Sequence, residues 1–440
     1  MILKSHPPYS QDGGQGKRKS WLSGIQKPLP LIHEIDDDAL FELQMSSLNY
    51  GPDPLIDEVI EEQLMLRQLL EEVGEFPFLT PSEDIYGPIN IGYCMETGAP
   101  VGMFPDEVHT LIAGGTGSGK STLITLIIKQ YIDLGIPILV FDYEDDFPDR
   151  LSSSDVNVFS VRDFKWNPLE VPEGADPILY AQEWCGIFSD TLGLLTGAKG
   201  FLFQQLYGLY DIYGVLNGGR TFPSLFDLND LLQEKKKRLK TNTREYSYAE
   251  VCANRTDFLV KALPYMLDCS RGTPLNVVTR SNTIILLSGI DTEVQTLVVT
   301  MMLSWFCRYL IANKLRNRPD LRVGVFLDEG QRLYDKQQER RFQQGIPVIS
   351  FLTATVRRYN LHLVVGVQQP SLLASSMSAN SFTKIQLRLG DGRDIMDLGS
   401  SMFLTPEQVY YSKLLETGQA IVKFAGRWPE PLVIEIPYSE

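Results

Sequence analysis

Residues 114–122 read GGTGSGKST, a glycine-rich run that closes on a lysine and two hydroxyl residues. Gly114, Gly119, Lys120 and Ser121 stand at the spacing G-x-x-x-x-G-K-[ST]. Each residue type answers a chemical need of a polyphosphate. Glycines at 114, 115, 117 and 119 let the backbone curl until successive N–H groups face phosphate oxygens, with Thr116, Ser118 and Thr122 completing the loop. A helix beginning there adds the positive end of its dipole. Lys120 then reaches the β- and γ-phosphates, and the Ser121 hydroxyl ligates Mg²⁺. Gly114, Gly115 and the residues through Thr122 are therefore expected to hold ATP with Mg²⁺.

Binding alone does not cleave the phosphoanhydride. Hydrolysis asks for a second strand ending in acids, one for the magnesium and one to polarise the attacking water. RVGVFLDEG (322–330) supplies an apolar run followed by Asp328 and Glu329, assigned to magnesium and to general-base work respectively. A second strand end, FDYEDD (141–146), is the alternative, with Asp142 and Glu144 able to face the same phosphate edge.

These side chains meet only if several strands end side by side. From about Tyr86, short apolar runs bounded by Gly and Pro alternate with helical segments, as in a parallel sheet covered by helices. The runs are VHTLIAGG (108–115), IPILVFDYE (136–144), NTIILLSGI (282–290), RVGVFLDEG and LHLVVGVQQ (361–369). TKIQLRL (383–389), QAIVKFAG (419–426) and PLVIEIP (431–437) extend the sheet towards the C-terminus. The expected fold is α/β, a RecA-like P-loop NTPase core with a parallel-rich central sheet over 87–150 and 275–440. Residues 151–274 show helical periodicity and read as a helical insertion domain. Residues 34–86 read as an acidic helical extension, and 1–33 as a disordered tail rich in Gly, Pro, Ser and Lys.

The 440 residues are 43% hydrophobic and 22% charged, enough to bury a sizeable core in two or three units. With 55 acidic against 40 basic residues, the formal charge is −15, which argues against gripping nucleic acid with the whole surface. A channel lined by a few cations stays compatible with it, because salt screens exposed charges beyond about 10 Å. The basic runs KRK (17–19) and KKKRLKTNTR (235–244) read as solvated charge in a tail and at a helix end, with a binding arm and phosphate binding as their respective alternatives. The five cysteines are scattered and form no metal-ligand spacing, so free thiols in a reducing compartment are expected. No run of about 18 uninterrupted apolar residues and no signal-peptide pattern appears, so the expectation is cytoplasmic, without membrane insertion.

In their order these motifs resemble the HerA/FtsK superfamily of hexameric motors, which also holds conjugative coupling and secretion ATPases. HTLIAGGTGSGKST is similar to that family's P-loop, FDYEDDF to its acidic turn after the second strand, and WNPLEVP (166–172) to its Asn-Pro-Leu run. LLSGI (286–290) and the following helix resemble its third strand, and FLDEGQRL (326–333) its Walker B strand. VRRYNLHLVVGVQQPSLLASSM (356–377) resembles its helix, strand and Gln-x-Pro-Ser sensor, with Gln368 at the strand tip. The resemblance covers about residues 87–437. It departs from the commoner sensor at Val367, where Thr or Ser is usual, and the β-barrel of typical HerA proteins is not recognisable.

The resemblance implies a homo-hexamer in which a neighbour's arginine stabilises the charge of the transition state. Arg357 and Arg358 before the sensor strand, and Arg388 and Arg393 after it, are the candidates. It also implies channel loops that track double-stranded DNA, near KQQERR in 335–346, and a partner nuclease or other effector. The function expected is an ATP-driven translocase on double-stranded DNA. A regulatory or scaffolding ring of a defence complex, or a conjugation or secretion motor, is the alternative. LLSGI superficially resembles the signature of ABC ATPases, but it lies in an apolar strand and lacks the following Gly-Gln.

Overall fold

Apolar runs without polar alternation fold as strands buried on both faces. The computed structural model describes residues 76–107, 109–315, 322–334, 336, 359 and 361–437. Among these, eleven strands form one sheet: β1 (Ile89–Cys94), β2 (Pro100–Met103), β3 (Thr110–Ala113), β4 (Ile138–Asp142), β5 (Asn157–Ser160), β6 (Thr283–Leu286), β7 (Val323–Leu327), β8 (Leu361–Val367), β9 (Thr383–Gln386), β10 (Gln419–Phe424) and β11 (Leu432–Glu435). The order across the sheet is β2-β1-β11-β10-β9-β3-β8-β7-β4-β6-β5. Every pair from β9 to β5 is parallel, and every pair from β2 to β9 is antiparallel. All residues of β3, β4, β7 and β8 are buried, as their unbroken apolar text requires. The expected mostly parallel α/β core is present.

Helix α1 (Lys120–Asp133) follows the glycine loop and lays Leu123, Ile124, Ile127 and Ile128 on the sheet. It stops at Leu134, where Gly135 takes a φ of 68° and ends the helix without strain. The described residues from Phe78 onward form one compact unit.

The stretch 151–274 carries α2 (Pro177–Thr191), α3 (Thr196–Ile212), α4 (Leu225–Arg238) and α5 (Arg244–Ala262). Their starts are written locally. Asp176 caps α2 through the N–H groups of Ile178 and Leu179, with Pro177 in the first turn, and Ser224 and Asp227 form a capping box on α4. The same stretch also supplies β5, which pairs with β6 at the sheet edge, so it is not purely helical. WNPLEVP ties the stretch down. Buried Asn167 donates to Pro223 O and Ser270 O, both at 2.9 Å, while Tyr180 and Tyr210 donate to the carbonyls of Pro168 and Leu169.

Helix α6 (Thr292–Ala312) is, among the described residues, long and apolar enough to cross a membrane, with a mean hydropathy of 1.4. Its apolar window is 83% buried within the fold, where it packs on α2 as a core helix. After β8 come α7 (Ser375–Asn380), α8 (Gly392–Met402) and α9 (Pro406–Ser412). Within the expected N-terminal extension, 34–75 lie outside the described residues, and 76–86 hold neither helix nor strand. The cysteines are free, four buried and Cys269 half-buried.

Candidate active site

β3 ends at Ala113, and Gly114 N–H still pairs with Val367 O of β8 at 3.0 Å. The chain then turns through Gly117 (φ 73°) and Gly119 (φ 97°), left-handed conformations that a side chain would strain. The N–H groups of Gly117, Gly119, Lys120, Ser121 and Thr122 bond no protein acceptor among the described residues. The buried Ser118 hydroxyl is likewise without a partner. A run of free donors at a helix start is what a polyphosphate requires. Residues 114–122 fit the group expected there.

Lys120, only 6% exposed, ion-pairs with Asp328 and stands 3.8 Å from Glu329 Oε1. Ser121 donates to Asp328 Oδ2 at 3.3 Å. These oxygens, one hydroxyl and one carboxylate, are hard donors of the kind Mg²⁺ takes while keeping most of its water. The approach is possible because β8 has a glycine beneath it. A Cβ on Gly366 would lie 2.7 Å from Asp328 Oδ1 and 2.9 Å from Ile124 Cδ1.

Glu329 occupies the left-handed region at φ 63°, ψ 40°, unusual for a residue with a side chain. The turn aims its carboxylate back over the strand ends. Gln368, at the tip of β8, donates to Oε1, and Gln331 donates to Oε2 at 2.5 Å. Burial raises the Glu329 carboxyl above its ordinary range, a shift that Lys120 partly offsets. Sheet order explains the meeting: β8 lies between β3 and β7, so Gln368 stands between the loop and the acids.

The alternative acids do different work. Asp142 is buried and accepts the N–H groups of Glu144, Asp146 and Phe147 at 3.0–3.3 Å, capping its own turn. Glu144 is exposed and faces Arg332 at 3.9 Å. Arg332 in turn lies 5.1 Å over the Tyr143 ring and donates to Gln295 Oε1 at 3.0 Å. Gln331 and Arg332 were not singled out from sequence. The available signal was two polar residues directly after an Asp-Glu-Gly turn, where the chain must double back past the carboxylate.

Arg388 and Arg393 are exposed, Arg393 beside its own Asp391 at 3.8 Å. Arg357, Arg358 and the 335–346 loop, apart from Lys336, lie outside the described residues. Lys235–Arg238 form the last turn of α4, with Arg238 paired to Glu234 and Lys236 3.8 Å from Glu250.

Residues 89–180 match the family model of the helicase HerA central domain. The DNA double-strand break repair helicase HerA of Sulfolobus acidocaldarius is 23% identical over 329 residues, covering 72% of this chain and 62% of that protein. The chain thus spans about three fifths of that relative's length. Among solved structures, VirB4 of Thermoanaerobacter pseudethanolicus superposes with a TM-score of 0.65 at 17% identity, covering 82% of this chain and 98% of that one. The bacterial conjugative coupling protein TrwB gives 0.57 at 16% identity, covering 83% and 97%. TrwB in complex with ADP and Mg²⁺ gives 0.57 at 16% identity, covering 82% and 91%. The shared architecture is the RecA-like P-loop fold. Together with the HerA central-domain match over 89–180, it makes the chain similar to P-loop ATPases of the HerA/FtsK type.

Proposed function

We propose that the chain hydrolyses ATP at Lys120, Asp328 and Glu329 and, as a homo-hexameric ring, translocates on double-stranded DNA with a nuclease or other effector. The observation carrying this reading is the convergence of Lys120, Ser121, Asp328, Glu329 and Gln368 from three strand ends at one phosphate loop. The loop N–H groups and Lys120 hold the β- and γ-phosphates. Ser121 and Asp328 are the residues that would hold Mg²⁺, which neutralises charge on the phosphate oxygens when bound. Glu329 takes a proton from the attacking water, and Gln368 keeps its carboxylate aimed at that water. Arg357 or Arg358, before β8, or Arg393, after it, supplies the guanidinium from a neighbouring copy.

The name of the Sulfolobus relative supports double-stranded DNA as the track. A conjugation or secretion motor is the second reading, favoured by likeness to the conjugative coupling protein TrwB over nearly all of that structure. The deciding experiment is the ATPase rate of the purified chain with and without long double-stranded DNA, at low and moderate salt. Salt-sensitive stimulation supports a channel that grips phosphates. Turnover indifferent to DNA overturns the translocase and favours a regulatory ring whose partner is a protein.

A further inference from the structure

Arg388 follows β9, the strand that flanks β3 on the side away from β8. Its carbonyl accepts the N–H of Gly115 at 2.9 Å, and Leu387 N–H donates to Ala113 O at 2.8 Å. A Cβ on Gly114 would lie 3.0 Å from Leu387 Cβ, so the two segments are in contact. Residues 387–388 are thus the outer wall of the phosphate loop. The Arg388 side chain is exposed, and its guanidinium makes no hydrogen bond or ion pair among the described residues. Arg308, Arg322, Arg332 and Arg427 each face a carboxylate, whereas Arg388, like Arg162, Arg255 and Arg280, does not among the described residues.

A closed ring joins unlike faces of successive copies. An arginine that completes a neighbour's site stands on the face away from its own phosphate loop, whereas Arg388 is tied to that loop through its backbone carbonyl. Across the sheet edge the order is Arg388 beyond β9, the loop after β3, Gln368 after β8, then Asp328 and Glu329 after β7. The hydrolytic groups therefore flank the loop on one side and Arg388 on the other. We propose that Arg388 serves the nucleotide of its own subunit, binding the α- or β-phosphate from the side of the loop opposite the hydrolytic groups. The inference rests on reading Gly114–Thr122 as the nucleotide site.

A guanidinium on the α- or β-phosphate contacts ATP and ADP alike, whereas one on the γ-phosphate discriminates between them. The test is titration of a fluorescent ADP and a fluorescent non-hydrolysable ATP analogue into the full chain, with steady-state turnover alongside, for wild type, Arg388→Ala and Arg388→Lys. Losing a charge-assisted contact should weaken both nucleotides together by about tenfold or more. The loss should appear in KM more than in kcat, and Arg388→Lys should recover part of it. Unchanged ADP affinity in Arg388→Ala, with or without a fall in kcat, overturns the inference alone. Wild-type chain that binds neither nucleotide removes the site reading and this inference with it.

Discussion

Gln368 donates its side-chain amide to Glu329 Oε1 from a neighbouring strand tip, and Lys120 Nζ stands 3.8 Å from that same oxygen. That oxygen is thus oriented by one neutral donor and balanced by a nearby cation, while Gln331 holds the other carboxylate oxygen. Gln368→Ala should leave nucleotide affinity within about twofold and lower kcat by about ten- to a hundredfold, because only the aim of the carboxylate is lost. Parallel binding and turnover assays check this, and a proportional loss of affinity would count against it.

Lys120→Ala should abolish turnover and weaken nucleotide binding, since the phosphate charge loses its buried partner. Glu329→Gln should retain ATP and lower kcat by about 10²- to 10⁴-fold, the range of general-base catalysis. Burial is the largest influence on the Glu329 carboxyl and raises its pKa. A base is lost as pH falls through its pKa, so the acid limb of kcat should lie above the ordinary carboxylate range. Wild-type turnover in Glu329→Gln would move the base elsewhere.

Asp142→Ala should leave three backbone N–H groups of the 144–147 turn without an acceptor and cost about 1–3 kcal/mol of stability. Glu144→Gln, altering an exposed and weakly paired acid, should keep kcat within about twofold. Denaturant melts and turnover rates separate the two. A Glu144→Gln variant that folds but fails to hydrolyse would reinstate the second strand end as catalytic.

Gly366→Ala tests the close approach beneath the carboxylates. The added methyl lands 2.7 Å from Asp328 Oδ1 and 2.9 Å from Ile124 Cδ1, and α1 and the β7 turn must shift together to admit it. A loss of about 1–3 kcal/mol with a fall in kcat is expected, readable by thermal unfolding and turnover.

The phosphate loop and the Asp328–Glu329 strand end were legible because their chemistry is written in consecutive residues. Strands β3, β4, β6, β7 and β8 were legible because burial on both faces forces unbroken apolar text. What the text concealed were relationships across strands. Asp142 reads like a phosphate-facing acid, and only the turn folded over it shows that its oxygens are occupied. Gln331 gains meaning only from the left-handed backbone at Glu329. Strand β5, four residues of mixed exposure, carries no periodic signal and is defined by its pairing with β6.

The antiparallel wing has a consequence for how the molecule is made. β1 pairs with β11 in the register Tyr93↔Glu435 and Cys94↔Ile434, joining stretches that leave the ribosome far apart in time. Until β11 has been synthesised, the β1–β2 hairpin presents one open edge with a largely apolar strand, a template for mispairing. A nascent chain halted before Leu432 would keep that edge exposed. Such products should depend on chaperones and be cleared by proteases well before any defect in ATP turnover is felt.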